Sequence, residues 1–217
     1  MRILDIVLKE DAASLLKALN ALSLPSFKQD DKETIPDSKP ASGKPGKQSA
    51  DVSTIQDPDF NKKLEKVAKQ LGVETDSLRR IIKFETAGTF SPTSHDPWNV
   101  SIGLIGFTEN TARALGTSKA ALAKMTAVQQ LDYVYKFYKM NGLRPGSDVG
   151  TMYMLTFMPA YAYHPNDTVL GRKNGPQLGR TGLSMHKIWL QNPSFGKSKG
   201  KDFFTVGDVK NTINSRR

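Results

Sequence analysis

The chain has 217 residues, 38% of them hydrophobic, with no cysteine and a formal charge of +10. That suffices for one domain with appendages, and it excludes disulfides and cysteine-held metals. His95, His164 and His186 stand far apart without metal-ligand spacing, which argues against a zinc hydrolase. The charge implies affinity for a polyanion, whether nucleic acid or bacterial wall, without choosing between them.

The N-terminus, MRILDIVLKEDAAS, resembles a signal peptide only briefly: Asp5 and then Lys9, Glu10 and Asp11 break it before an apolar core forms. No apolar run reaches the length of a membrane span. Residues 2–22 read as one amphipathic helix, with Ile3, Ile6, Val7, Leu15, Leu16, Leu19 and Leu22 along one stripe. A helix this short needs something to bury against, either its own domain or a partner protein. Residues 25–57 are rich in Pro, Ser, Gly, Lys and Asp and nearly free of large apolar side chains, the composition of a flexible linker. The linker favours the partner. The expected organisation is an anchoring helix over 1–24, a linker over 25–57 and a helical domain over 58–217.

The domain starts at Pro58, a favourable first helical residue, and Phe60, Leu64, Val67, Ala68 and Leu71 share a face that Gly72 closes. Thr75 is placed to cap a second helix through LRRIIKFET, stopped by Gly88. Thr108 opens another helix, which ends at Gly116. Thr126 and Gln129 form a capping-box pair before QLDYVYKFYKM. SDVGTMYMLTFM ahead of Pro159 is a further apolar helix, and Thr205 with Asp208 starts a last one through Ile213. Strand alternation and internal repeats are almost absent, so the expected class is all-α with about seven helices.

One residue breaks the pattern. Leu78, Ile81, Ile82 and Glu85 stand at i, i+3, i+4 and i+7, which puts a carboxylate on the face that should be buried, while Arg79, Arg80 and Lys83 take the other face. Burial and the negative end of the helix dipole both favour the protonated carboxyl. Such an acid is either a structural ion-pair partner or a proton donor to a glycosidic oxygen.

After Glu85 come the loop TAGTFSPTSHDPWN and the segment VSIGLIGFTENTARALG. A helix ending in Glu, a loop with Ser, Pro and Asn, then a G-L-I-x-F motif and a helix ending in A-L-G resembles the Slt-type lytic transglycosylase and goose-type lysozyme superfamily. The nearest likeness is to phage tail-associated lytic domains. The resemblance spans roughly residues 58–215 and continues in MTAVQQLDYV, in DVGTMYMLTFMPA and in Thr168, Val169 and Leu170. It implies a lysozyme-like helical fold and Glu85 as general acid and later general base. Gly103, Leu104, Ile105 and Phe107 would form the floor of a glycan cleft, and Met158, Pro159, Tyr161 and Tyr163 the opposite wall. Core packing competes with direct contact at Leu104 and Ile105, and rim packing competes with sugar stacking at Tyr161 and Tyr163.

The sequence departs from the family at Gly106, where a glutamine is usual, and at Val100 and Ser101, where Gly-Ala is common. Family members often end in a calcium-loop-like motif; here NPSFGKSKGKDFFTVGD has lysines where ligand carboxylates are needed, so no calcium, metal or other cofactor is expected. Inverting hydrolysis needs a second carboxylate. Asp96 competes with a turn role before Pro97, and Glu109 with stabilisation of a helix N-terminus. The reading that follows is a transglycosylase more than a lysozyme, cutting the β-1,4 link between N-acetylmuramic acid and N-acetylglucosamine. Its partners would be peptidoglycan glycan strands and, through residues 2–22, a phage tail or baseplate hub protein, placing it in the virion. A structural hub protein with a degenerate lysozyme-like fold and a muramidase endolysin are the alternatives. The basic residues are spread through linker, loops and tail rather than along one helix face, which argues against nucleic acid.

Overall fold

The computed structural model describes residues 52–96, 100–178 and 183–216. The anchoring helix expected over 2–22 and most of the linker lie outside them. The described chain is mostly helical, beginning with α1 (Val52–Gln56) and α2 (Pro58–Leu71). Val52–Gln56 falls inside the expected linker but is helical: Asp57 N bonds back to Thr54 O, and the Asn61 amide donates to Ile55 O at 2.9 Å and to Asp57 O at 3.0 Å. The fold therefore begins before Pro58. Asp57 caps α2 by accepting from Asp59 N, and Phe60, Leu64, Val67, Ala68 and Leu71 are buried as their spacing requires.

Helix α3 (Thr75–Glu85) starts one residue away from the expected geometry. Glu74 is the capping residue and makes no side-chain cap bond, while Thr75 is already helical. A two-residue-stranded hairpin follows, β1 (Ser101–Ile102) with β2 (Phe107–Thr108). Then come α4 (Glu109–Ala114), capped by Thr108, and α5 (Lys119–Leu122), capped by Ser118. Helix α6 (Ala127–Met140) carries the Thr126–Gln129 capping box, and α7 (Val149–Phe157) is capped by Asp148. All but one of the nine residues of α7 are buried, so it is a core helix enclosed on every side.

A short 3-10 turn over Pro159–Tyr161 leads to β3 (Val169–Arg172), β4 (Gln177–Leu178), β5 (Leu183–Ser184) and α8 (Met185–Gln191). The chain closes with β6 (Phe203–Thr205) and α9 (Val206–Asn214), the latter opened by the Thr205–Asp208 capping box. Strand β3 pairs antiparallel with β6, and β4 with β5. These ribbons correct the all-α expectation. Their strands are two to four residues long, too short for a period of two to register in the sequence.

Packing follows from the apolar faces. Helix α2 lies on α6, α3 bridges α2 and α7, α7 lies on α9, and α8 covers β3. One apolar cluster runs from Phe60 through Leu78, Leu104, Leu131 and Met154 to Phe204 and Val209. No helix among the described residues is long and apolar enough to cross a membrane.

Candidate active site

The last turn of α3 presents Glu85 inward beside Leu78, Ile81 and Ile82, leaving its side chain 4% exposed. The arginines on the opposite face are engaged elsewhere. Arg79 donates to Asn61 Oδ1 at 2.8 Å, and Arg80 clamps the C-terminal turn through Ile213 O, Asn214 O and Arg216 O. They tie α3 to α2 and to the end of α9.

Behind Glu85 lies a buried polar pair from two other helices. Tyr138 of α6 is wholly buried, and its hydroxyl meets Thr156 Oγ1 of α7 at 3.2 Å. Thr156 Oγ1 also lies 3.3 Å from Met152 O, so the hydroxyl pair is tied to the α7 backbone. Burial pushes the Tyr138 phenol well above its usual range; the Thr156 hydrogen bond opposes this, and the charge of Glu85 adds to it. Tyr138 therefore stays neutral within the field of Glu85. Sequence reasoning missed both residues, although Tyr138 and Thr156 stand on apolar helix faces where a polar group signals a specific partner.

The loop after Glu85 is held in an uncommon backbone. Thr86 Oγ1 donates to Ile82 O at 2.7 Å and accepts from Phe90 N at 3.0 Å. Ala87 and Phe90, neither of them glycine, have φ of 52° and 55°. Gly88 has a φ of 85° and its N reaches Lys83 O at 2.7 Å, so it takes part in the stop as expected, but Ala87 before it is left-handed too.

Further on, Asp96 is buried and its Oδ2 accepts from Ser101 N at 2.5 Å and from Ser101 Oγ at 2.8 Å, clamping the loop onto β1. Ser101, read as a departure from the family, is thus the other half of this clamp. The β1–β2 turn runs over Gly103, Leu104, Ile105 and Gly106, with φ of 86° at Gly103 and 67° at Gly106. Gly106 thus occupies a left-handed turn position, which accounts for a glycine there on conformational grounds.

The four floor residues divide. Leu104, Ile105 and Phe107 are at most 2% exposed, so they pack into the core, backbone included, and do not form an open cleft floor. Gly103 is explained by another partner: a Cβ there would lie 2.4 Å from Gln130 Oε1. Gln130, fully buried on α6, accepts from Leu104 N at 3.0 Å and donates to Pro92 O at 2.7 Å and to Leu122 O at 2.9 Å. It joins the loop after α3, the hairpin turn and the end of α5. Sequence reasoning missed it too, though its place between Ala127 and Leu131 on the inward face of α6 was the signal.

The opposite wall also divides. Met158 is 4% exposed and belongs to the core. Tyr161, which follows Pro159 in the 3-10 turn, is half-buried beside the His164 ring at 4.8 Å, and that burial raises its phenol pKa. Tyr163 staples the Gly142–Ser147 loop instead of offering a free ring. Its hydroxyl accepts from Arg144 N at 2.9 Å and donates to Gly142 O at 3.0 Å, and the Arg144 guanidinium covers its face at 3.9 Å. An open depression of about 450 Å³ adjoins it, lined among others by Arg144, Asp148, Thr151, Asn166 and Lys210 and not by Glu85. Asp148 starts α7 and Thr156 ends it, so this depression lies about 12 Å along the helix from the Thr156–Tyr138 pair.

Glu109, the other acid considered, accepts from Arg113 Nε at 2.9 Å and from Lys119 N at 3.1 Å. Those two hydrogen bonds, the Arg113 one foremost, lower its pKa. Among the described residues no three metal-ligating side chains gather, and His95, His164 and His186 bond separately to the Asp96 carbonyl, the Tyr161 ring and Asn174 N. Neither the models of known protein families nor the curated proteins contain a match to this chain. Chemically, the site offers one inward carboxyl whose charge is felt by a buried phenol.

Proposed function

We propose that the chain cleaves the β-1,4 bond between N-acetylmuramic acid and N-acetylglucosamine in peptidoglycan, as a lytic transglycosylase with Glu85 as its acid. The observation that carries this is the place of Glu85, 4% exposed on the otherwise apolar buried face of α3 in its last turn. Glu85 protonates the glycosidic oxygen and the C1–O bond breaks. The muramic acid 6-hydroxyl then attacks C1 and returns its proton to Glu85, giving a 1,6-anhydro end without a second protein carboxylate. The engagement of Asp96 by Ser101 and of Glu109 by Arg113 and Lys119 supports this route over inverting hydrolysis. Residues 2–22 would hold the enzyme on a phage tail or baseplate hub for wall penetration, and the lysozyme-like fold belongs to the same proposal.

One observation favours a second reading. The depression beside Tyr163 excludes Glu85, and Gly106 replaces the family's glutamine, as in a structural hub protein that kept the fold without the activity. Purified wild type and Glu85→Gln incubated with isolated sacculi separate the two. Anhydromuropeptides from wild type alone, with release falling at least ~100-fold in the variant, fit the enzyme. Reducing-end products make it a muramidase, and no release from folded wild type leaves the structural protein.

A further inference from the structure

The positive charge of this chain is confined to its second half. Residues 1–100 carry 15 Lys and Arg against 15 Asp and Glu, whereas residues 101–217 carry 16 against 6. The linker and anchoring segment add nothing to the net charge.

Much of the excess gathers on one exposed face built by β3, β6, α8 and the loop over 193–201. Arg172 and Phe203 pair across the β3–β6 ribbon, Lys173 N bonds to Asp202 O at 2.7 Å, and Trp189 Nε1 bonds to Lys201 O at 2.9 Å. Those links hold Arg172, Lys173 and Lys201 together, with Lys197 over the Trp189 ring at 5.7 Å and Lys199 on the next turn. All five cations are exposed. Two acids share the face, Asp202 near Lys173 at 3.8 Å and Asp208 against Lys201 at 2.7 Å. Arg172 and Lys197 rest on rings and Lys199 on the Thr212 hydroxyl, so their charge remains available to an anion. Glu85 is on none of these elements.

The aromatic groups say what kind of polyanion fits. Single-stranded nucleic acid is held by bases stacking on open rings. Here Trp189 is 7% exposed with its N–H engaged, and the Phe203 ring lies under the Arg172 guanidinium at 4.9 Å. What the face offers is spaced positive charge without stacking platforms, which suits a flexible phosphodiester chain of polyol or sugar units.

We propose that the face of Arg172, Lys173, Lys197, Lys199 and Lys201 docks a phosphodiester-linked anionic glycopolymer of the bacterial wall and so concentrates the enzyme on its substrate. This rests on the peptidoglycan reading above. The test is co-sedimentation of the full chain, carrying Glu85→Gln so that nothing is cut, with sacculi bearing poly(glycerol phosphate) and with the same sacculi stripped of it by hydrofluoric acid. Binding is expected to be about 10-fold weaker on stripped sacculi and to fall steeply with salt. Arg172→Gln/Lys197→Gln/Lys199→Gln should lower the log–log salt slope by about 2, at roughly 0.7 per lost phosphate contact. Lys62→Gln/Lys66→Gln/Lys69→Gln, an equal charge loss on α2, should change neither. Equal binding to stripped sacculi, equal weakening by both triple variants, or stronger competition by an oligonucleotide than by poly(glycerol phosphate) of equal phosphate content overturns the proposal. Muropeptide release by wild type is scored separately, so a failed Glu85 chemistry with retained polymer binding is distinguishable from the reverse.

Discussion

Helices α2 and α3 close with the same pair of backbone hydrogen bonds, yet α2 puts Gly72 in the left-handed position and α3 puts Ala87 there. In α2, Gly72 N reaches Lys69 O and Val73 N reaches Ala68 O; in α3, Ala87 N reaches Phe84 O and Gly88 N reaches Lys83 O. Glycine adopts that backbone freely, whereas alanine does so at a cost of about 1 kcal/mol or more. The difference extends beyond the turn. The buried face of α2 is wholly apolar, while α3 ends on buried Glu85 and Thr86 and the loop after it buries Ser91 and Asp96. Buried polar groups and left-handed non-glycine residues both oppose folding, so the end of α3 carries a cost that the end of α2 does not.

The largest effects should come from the contact between the hairpin and α6. Gly103→Ala combines a left-handed alanine with a Cβ 2.4 Å from Gln130 Oε1. It is expected to cost about 3 kcal/mol of unfolding free energy by urea titration. Gln130→Leu leaves Leu104 N–H, Pro92 C=O and Leu122 C=O without their partner and is expected to cost a similar amount, about 3 kcal/mol. Because the two residues touch, the double variant should lose clearly less than the sum of the single losses. Strict additivity would mean that Gln130 does not set the need for glycine.

The end of α3 gives a smaller effect of opposite sign. Ala87→Gly should stabilise the protein by about 1 kcal/mol, since it relieves the left-handed cost without removing a contact. The reverse exchange in α2, Gly72→Ala, would bring the new methyl within 2.8 Å of the Pro145 ring and would destabilise. If the strained turn holds Glu85 in place for catalysis, the more stable Ala87→Gly protein will release muropeptides more slowly. Unchanged release makes the strain incidental.

Helix ends were the most legible part of the sequence. Pro58 at a first helical position, Thr126 with Gln129 and Thr205 with Asp208 are local signals, and each helix starts where they place it. Ala87 was not legible because alanine gives no hint of a left-handed backbone. Helix α8 was missed because MHKIWLQ is only two turns long and follows a two-residue strand. At the site, the period of α3 was enough to place Glu85 inward. The floor residues show the opposite: a motif fixes where Leu104 and Phe107 lie in the chain, but not that both residues are wholly enclosed in the core.

The smallest effect depends on pH. Asp148 and Asp208 cap α7 and α9, helices that pack on one another. At Asp208 partial burial opposes ionisation, but the Lys201 ammonium and Thr205 donors outweigh it and hold the carboxyl below its usual range. At Asp148 burial is likewise outweighed, by Thr151 and Asn214. A carboxyl lowered in the folded state contributes stability that is present above its unfolded pKa of about 3.9 and is lost as pH falls below it. The melting temperature of wild type should therefore drop between pH 5 and pH 3, as these groups begin to take up protons that the unfolded chain binds first. Asp208→Asn keeps an oxygen for the Thr205 cap but has no charge to titrate, so its melting curve should shift less over the same interval. An identical acid shift in Asp208→Asn and wild type would show that Asp208 does not carry the acid sensitivity, leaving Asp148 as the lowered carboxyl of the α7–α9 pair.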